Sequence, residues 1–190
     1  LTTPSYSAYI KIGDGCDNRC AYCAIPLIRG GYRSRHREAI LQEMRQLAAQ
    51  GAREQILIAQ DTTRYGRDTG DSLAALMTEA AKIPGVDWLR TLYLYPDELT
   101  EETLDVMAAH ENICRYLDLP LQHAAPGLLR AMNRRGTMEH VRAMLAAARA
   151  RGFCLRTTFI VGFPGETEAD FEALMRFTEE IAFDRMGAFA

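Results

Sequence analysis

The sequence predicts a parallel α/β domain, drawn as a partial (βα)6 barrel of the TIM type. Three observations predict it. Strand and helix signals alternate from one end of the chain to the other, each pair taking about 30 residues. No low-complexity linker divides the chain, so residues 1–190 read as one domain. A complete eight-unit barrel needs roughly 250 residues, and 190 are too few for it. Doubly wound and barrel arrangements share this pattern, and in both the chemistry belongs at the carboxyl ends of the strands.

The elements follow in order. Tyr9–Gly13 is a short β-prone run leading into a cysteine-rich loop. Glu38–Gln50 reads as a helix, with Ile40, Leu41, Met44 and Leu47 on one face and Gly51 as its stop. Ile56–Gln60 is a continuous apolar strand. Ser72 can cap a helix carrying Leu73, Leu76, Met77 and Ala80. Trp88–Leu94 is the third strand, and Thr100 can cap the helix after it. Tyr116–Leu119 is the fourth strand. Pro126–Met132 and Met138–Ala150 read as helices. Phe153–Val161 is the fifth strand, and Thr167 with Asp170 has capping-box spacing for a helix to about Glu180. Phe183–Phe189 is the sixth strand.

Composition narrows the class. At 48% hydrophobic and 25% charged the chain matches globular averages, which excludes disordered, collagen-like and coiled-coil classes. No apolar run approaches the roughly 18 residues of a membrane helix, so no membrane partner is expected. The start, Leu1-Thr2-Thr3-Pro4, lacks a signal-peptide pattern and an initiator Met, which suggests a piece of a longer protein. The net charge of −3 gives no general pull towards nucleic acid. Arginine nevertheless clusters locally at Arg29, Arg33, Arg35 and Arg37, just after the cysteines.

Cysteine is the informative residue. Cys16, Cys20 and Cys23 lie within eight residues, while Cys114 and Cys154 stand apart. Secreted disulfide frameworks favour even, dispersed cysteines. Three crowded thiols in a chain of cytosolic type read as soft ligands for zinc or iron–sulfur. A structural zinc site closes with four ligands, and His36 or His123 could supply the fourth. Three ligands alone leave one iron of a 4Fe-4S cluster open, whereas electron-carrier clusters usually have four cysteines. Cys114 and Cys154, at the starts of strands, are expected to be buried small hydrophobes.

Cys16-x-x-x-Cys20-x-Tyr22-Cys23 resembles the signature of the radical S-adenosylmethionine superfamily. The resemblance implies a six-unit partial barrel and a 4Fe-4S cluster on Cys16, Cys20 and Cys23. The open iron would be chelated by S-adenosylmethionine, with Tyr22 beside the adenine. Ile160-Val161-Gly162-Phe163-Pro164-Gly165-Glu166 is similar to that family's adenine-binding strand end. Glycines there allow a flat base to approach the backbone, so Ile160, Gly162 and Gly165 are implied cofactor contacts. Asp14-Gly15-Cys16-Asp17-Asn18 and the run Ile25–Arg35 resemble the methylthiotransferases within it. Leu57–Gly66, Leu92–Pro96, Asp118–His123 and Phe183–Gly187 resemble their ribosomal branch more than their tRNA branch.

That resemblance implies an amino-terminal domain with a second 4Fe-4S cluster and a carboxy-terminal β-barrel of the TRAM type, neither of them in this chain. It implies a 5′-deoxyadenosyl radical that takes hydrogen from the β-carbon of an aspartate in small-subunit ribosomal protein S-twelve, before methylthiolation. An electron donor such as flavodoxin or ferredoxin, a cytoplasmic location and a monomer are expected with it. No side chain is given a catalytic role beyond the cluster ligands. Gln60 and Asp61 are expected at the methionine amine, with helix capping as the alternative for Asp61. Gln122 and His123 are expected at the ribose, with a satisfied core histidine as the alternative for His123. Arg156, a charge in an apolar strand, needs a partner: the cofactor carboxylate or an acidic neighbour. The tRNA branch, and a zinc-stabilised binding module without catalysis, are the alternatives at the level of function.

Overall fold

The computed structural model describes residues 4–190; Leu1 to Thr3, at the start of the segment read for a targeting signal, lie outside the described residues. In chain order it contains β1 (Ser7–Lys11), β2 (Gly13–Asp14), α1 (Ile25–Arg29), β3 (Arg33–Ser34), α2 (Arg37–Ala49) and β4 (Glu54–Ile58). A 3₁₀ turn (Thr62–Arg64), α3 (Leu73–Ala80), β5 (Trp88–Thr91), α4 (Glu101–Ala109) and β6 (Tyr116–Asp118) follow. The chain continues with α5 (Pro126–Ala131), α6 (Met138–Ala150), β7 (Cys154–Ile160), α7 (Glu168–Ile181) and β8 (Arg185–Phe189).

β1, β4 and β5 form one parallel ladder, and β6, β7 and β8 another. The two meet where Leu89 bridges Ile113 and where the Leu94 amide donates to the Asp118 carbonyl at 3.0 Å. Six parallel strands thus lie side by side in chain order. A doubly wound sheet would reverse that order partway, so the open alternative resolves to the partial barrel. Among the described residues no ladder joins β8 back to β1, and the array keeps two edges.

Strand alternation divides the array into two faces. Ala8, Ile10, Leu57, Leu89, Leu117, Leu155 and Phe159 share the face packed by helices and are at most 2% exposed. Phe159 meets Phe177 of α7 and Phe183 edge-on, at 6.5 and 5.9 Å between ring centres. The opposite face is polar. Glu54 accepts from Ser7 and from Arg90, each at 3.1 Å, and Arg90 lies 5.1 Å over the Tyr116 ring. Arg156 pairs with Asp118 at 2.5 Å across the β6–β7 ladder. These charges are paired as a partly enclosed face requires.

Ser72, Thr100, Thr137 and Thr167 all cap their helices by accepting an amide three residues on, and Thr167 with Asp170 completes the capping box. Three differences from the sequence reading stand out. β5 ends at Thr91 rather than Leu94, because Tyr93 turns left-handed (φ 60°) and breaks the extended run. The cysteine loop holds a small hairpin, β2 with β3, and the one-turn α1, which no period announced. Cys114 and Cys154 do precede and open their strands, but both are half-buried rather than buried. No helix among the described residues is long and apolar enough to cross a membrane.

Candidate functional site

The sulfur loop leaves the carboxyl end of β1 and is fixed at several points. β2 pairs antiparallel with β3, Gly13 opposite Ser34 and Asp14 opposite Arg33, closing the base of the loop. Gly15 stands at φ 75°, and a Cβ there would overlap the Gly31 carbonyl oxygen, so only glycine lets the two arms touch. The Cys16 amide donates to the Gly30 carbonyl at 3.0 Å, and the Tyr32 amide to Asp17 at 3.1 Å. On the far side the Ala21 amide donates to the Met132 carbonyl at 3.0 Å, and the Asn133 side chain to the Arg19 carbonyl at 2.7 Å. Asn18 bridges inward, donating to Asp61 at 2.7 Å and accepting from Arg135 at 2.6 Å.

Cys16, Cys20 and Cys23 all line one cavity of about 170 Å³, together with Tyr22, Gln60, Tyr95, Gln122 and Arg134. Cys16 is buried and the other two are half-buried. Among the described residues no three His, Cys, Asp or Glu side chains converge on a point that one metal ion would occupy. The histidines considered as fourth zinc ligands lie elsewhere. His36 is exposed at the start of α2. His123 is fully buried, accepting from the Ala125 amide at 2.9 Å and facing Glu166 at 3.4 Å, a satisfied core histidine.

The rest of the cavity wall has unspent polar capacity. Tyr95 is 7% exposed, and its buried hydroxyl is turned to the Arg135 backbone without a hydrogen bond of ordinary length. Burial pushes its phenol up to about 12, so it stays a neutral donor at neutral pH. Arg134 lies 4.0 Å over the Tyr95 ring, donates to the Pro120 carbonyl at 2.6 Å, and reaches within 4.0 Å of the Cys20 sulfur. A guanidinium beside a thiolate stabilises its negative charge. Three thiols on one cavity, with a cation beside one of them, are the donor chemistry an iron–sulfur cluster takes.

Two wall residues hold left-handed backbone without being glycine: Tyr93 (φ 60°) and Gln122 (φ 72°), at the carboxyl ends of β5 and β6. Such conformations persist only where the surroundings over-determine them, and they gather at functional sites. Here the Tyr93 amide donates to Asp118 at 3.2 Å and its carbonyl accepts from the Thr62 amide at 3.1 Å. Gln122 is clamped between the Thr158 carbonyl and the Ile160 amide. A second cavity of about 470 Å³ adjoins the first, lined by Lys11, Gly13, Arg29, Ile58, Ala59, Gln60 and Tyr93. Gln60 and Tyr93 line both.

The expected cofactor contacts fall into four groups. Tyr22, Gln60 and Gln122 line the sulfur cavity. Asp61 lies beneath it, 1% exposed: it caps the 3₁₀ turn through the Thr63 amide and hydroxyl and holds Asn18. Burial raises its carboxyl pKa, while those hydrogen bonds act the other way. Arg156 has the acidic neighbour Asp118 as its partner. Ile160, Gly162 and Gly165 stand at the end of β7; both glycines have positive φ, and a Cβ on either would meet open space. Glu166 ties that turn, accepting from the Gly162 and Phe163 amides at 2.5 and 3.1 Å. Sequence reasoning missed Glu166, Arg134 and Tyr95 as site-building residues. The Tyr95-Pro96 strand end was the one available signal; Arg134 follows a short helix with nothing to mark it.

The chain belongs to the radical SAM superfamily, whose family model matches residues 10–178. Membership brings a 4Fe-4S cluster and S-adenosylmethionine as cofactors, and the three thiols on one cavity are the ligand type such a cluster takes. The chain is 50% identical over 194 residues to ribosomal protein uS12 methylthiotransferase RimO of Clostridioides difficile (strain 630), covering 100% of this chain and 44% of that protein. It is 52% identical over 193 residues to the protein of that name from Desulforamulus reducens, again covering 100% and 44%. The chain therefore spans less than half the length of these relatives. Its fold matches the radical S-adenosylmethionine methyltransferase TsrM from Kitasatospora setae (TM-score 0.72, 22% identity, 96% of this chain and 36% of that one). It also matches coproporphyrinogen III oxidase HemN from Escherichia coli (TM-score 0.70, 20% identity, 97% and 44%).

Proposed function

We infer that this chain is the radical domain of a methylthiotransferase that modifies an aspartate of ribosomal protein uS12. The observation that carries it is identity of about half across the whole chain to proteins of that name, together with the three-thiol cavity. Because the chain is under half their length, residues 1–190 are assigned to the radical domain alone. The second cluster, the TRAM-type barrel and the docking of an electron donor such as flavodoxin or ferredoxin belong to flanking parts. A monomeric, cytoplasmic protein accords with this reading.

Cys16, Cys20 and Cys23 would hold the cluster. When bound, the cluster and S-adenosylmethionine supply one-electron cleavage of a sulfonium and the hydrogen abstraction that follows. The chain's own residues bind, orient and shield. Tyr22, Gln60 and Gln122 line the same cavity and would offer the ligand an aromatic ring and two amides. Asp61 acts one layer back, fixing Asn18 and so the sulfur loop. Ile160 supplies apolar surface for a base, and Gly162 and Gly165 leave its approach open. Arg156 stays with Asp118 unless a cofactor carboxylate competes for it. Enclosure keeps water and stray hydrogen donors from the reacting centre, which is the protein's share of such chemistry.

The test is anaerobic reconstitution of the full-length polypeptide that carries this chain, with purified uS12, S-adenosylmethionine and a reductant. Mass spectrometry should show one added methylthio group on one aspartate. A modified tRNA adenosine with untouched uS12 would overturn the reading. A colourless, zinc-loaded protein that refuses iron would do so as well.

A further inference from the structure

The wider cavity beside the sulfur loop has a charge pattern of its own. Its lining holds two cations, Lys11 and Arg29, and no acidic side chain. Both cations turn to a single carboxylate, Asp14: Lys11 Nζ at 2.8 Å and Arg29 Nη1 at 3.6 Å. Elsewhere in the arginine cluster the matching is closer to one for one, Arg35 with Glu43 at 2.7 Å and Arg37 with Asp71 at 3.3 Å. So this corner carries one uncompensated positive charge. Lys11 and Arg29 are 46% and 49% exposed, and ion pairs that open to water are weak and readily re-formed. The lining also includes Gln60 and the left-handed Tyr93, the two residues shared with the sulfur cavity.

We propose that Lys11 and Arg29 form the subsite that selects the carboxylate of the target side chain. The proposal rests on the ribosomal-aspartate reading and deepens it. Two converging cations give a carboxylate charge-assisted hydrogen bonds of the strong kind. An aspartate held there presents the carbon beside its carboxyl group towards the wall common to both cavities. Lys11 and Arg29 are thus substrate-binding residues that discriminate, and Asp14 keeps them together until the substrate arrives.

The experiment measures binding of purified uS12, and of uS12 with asparagine at its target aspartate, to the full-length holoenzyme. The protein carries the native residues, Lys11→Met, Arg29→Gln or Lys11→Arg. The native enzyme is expected to prefer the aspartate form by about tenfold or more, the scale of a charged hydrogen bond. Lys11→Met and Arg29→Gln each should erase most of that preference, and Lys11→Arg should retain it. Comparing two ligands on the same variant cancels any loss of folded protein, and Lys11→Arg against Arg29→Gln decides the matter should Lys11→Met not fold. Variants that keep the native preference, with uS12 still modified by the native enzyme, overturn the subsite alone. A native enzyme that modifies tRNA and leaves uS12 untouched overturns both this proposal and the reading beneath it.

Discussion

Tyr95 stands beside the sulfur cavity with its hydroxyl buried, turned to the Arg135 backbone and making no hydrogen bond of ordinary length. A buried polar group so poorly paired contributes little to folding, so its removal should not destabilise. Tyr95→Phe, which keeps the ring beneath Arg134, is therefore expected to leave the melting temperature unchanged or raised in differential scanning fluorimetry. A clearly lowered melting temperature would make the hydroxyl structural. At this scale the sequence was legible where chemistry repeats a spacing: Cys16, Cys20 and Cys23 share one cavity. It was half legible where a residue has two uses, as for Asp61, whose oxygens are taken by Thr63 and Asn18. It was silent on Arg134, which meets Cys20 from 114 residues away, because only folding makes such a neighbour.

Helices were the most legible elements, since their caps are local chemistry. The Thr167–Asp170 box holds the start of α7, the helix that brings Phe177 onto Phe159. Thr167→Ala should cost about 1 kcal/mol by urea denaturation. A cost near zero would mean that Glu166 and the aromatic contacts alone hold that turn. β8 is fastened differently. Asp184, just before it, accepts from the Leu155 amide at 2.7 Å and from Arg149 at 2.6 Å. The Leu155 amide, opposed by slight desolvation and aided by Arg149, holds the Asp184 carboxyl below its ordinary 3.8. A depressed carboxylate stabilises the fold above its unfolded pKa, and the benefit is lost as pH falls through the folded value. Thermal midpoints should therefore drop on acidification below 3.8, and less steeply in Asp184→Asn; equal slopes would remove Asp184 from the account. Strand ends were less legible, because Tyr93 and Gln122 leave the extended region for reasons of tertiary hydrogen bonding that no residue preference announces.

The whole molecule is a partial barrel with a helix-packed apolar face and a paired polar face, and pattern alone supplied its six units but not their order. Order came from the Leu89–Ile113 bridge and the seam beside it. If residues 1–190 are one functional layer of a longer enzyme, activity should divide with the chain. This polypeptide by itself should take up iron and sulfide and release deoxyadenosine slowly, yet leave uS12 unmodified in the mass-spectrometric assay. Methylthiolation by this polypeptide alone would refute that division. The many tethers on the sulfur loop bear on one more property. The loop is laced to β3, to the residues after α5 and to the cap of the 3₁₀ turn by the chain's own hydrogen bonds, tethers that do not involve the thiols. Metal proteins whose binding site forms only with the metal must refold to recover from damage. This one should instead behave as a socket: after oxygen strips its iron, the bare protein ought to keep its circular-dichroism spectrum, though melting lower for want of the ligand's binding energy, and regain colour on simple resupply, a repairable fault rather than a fatal one.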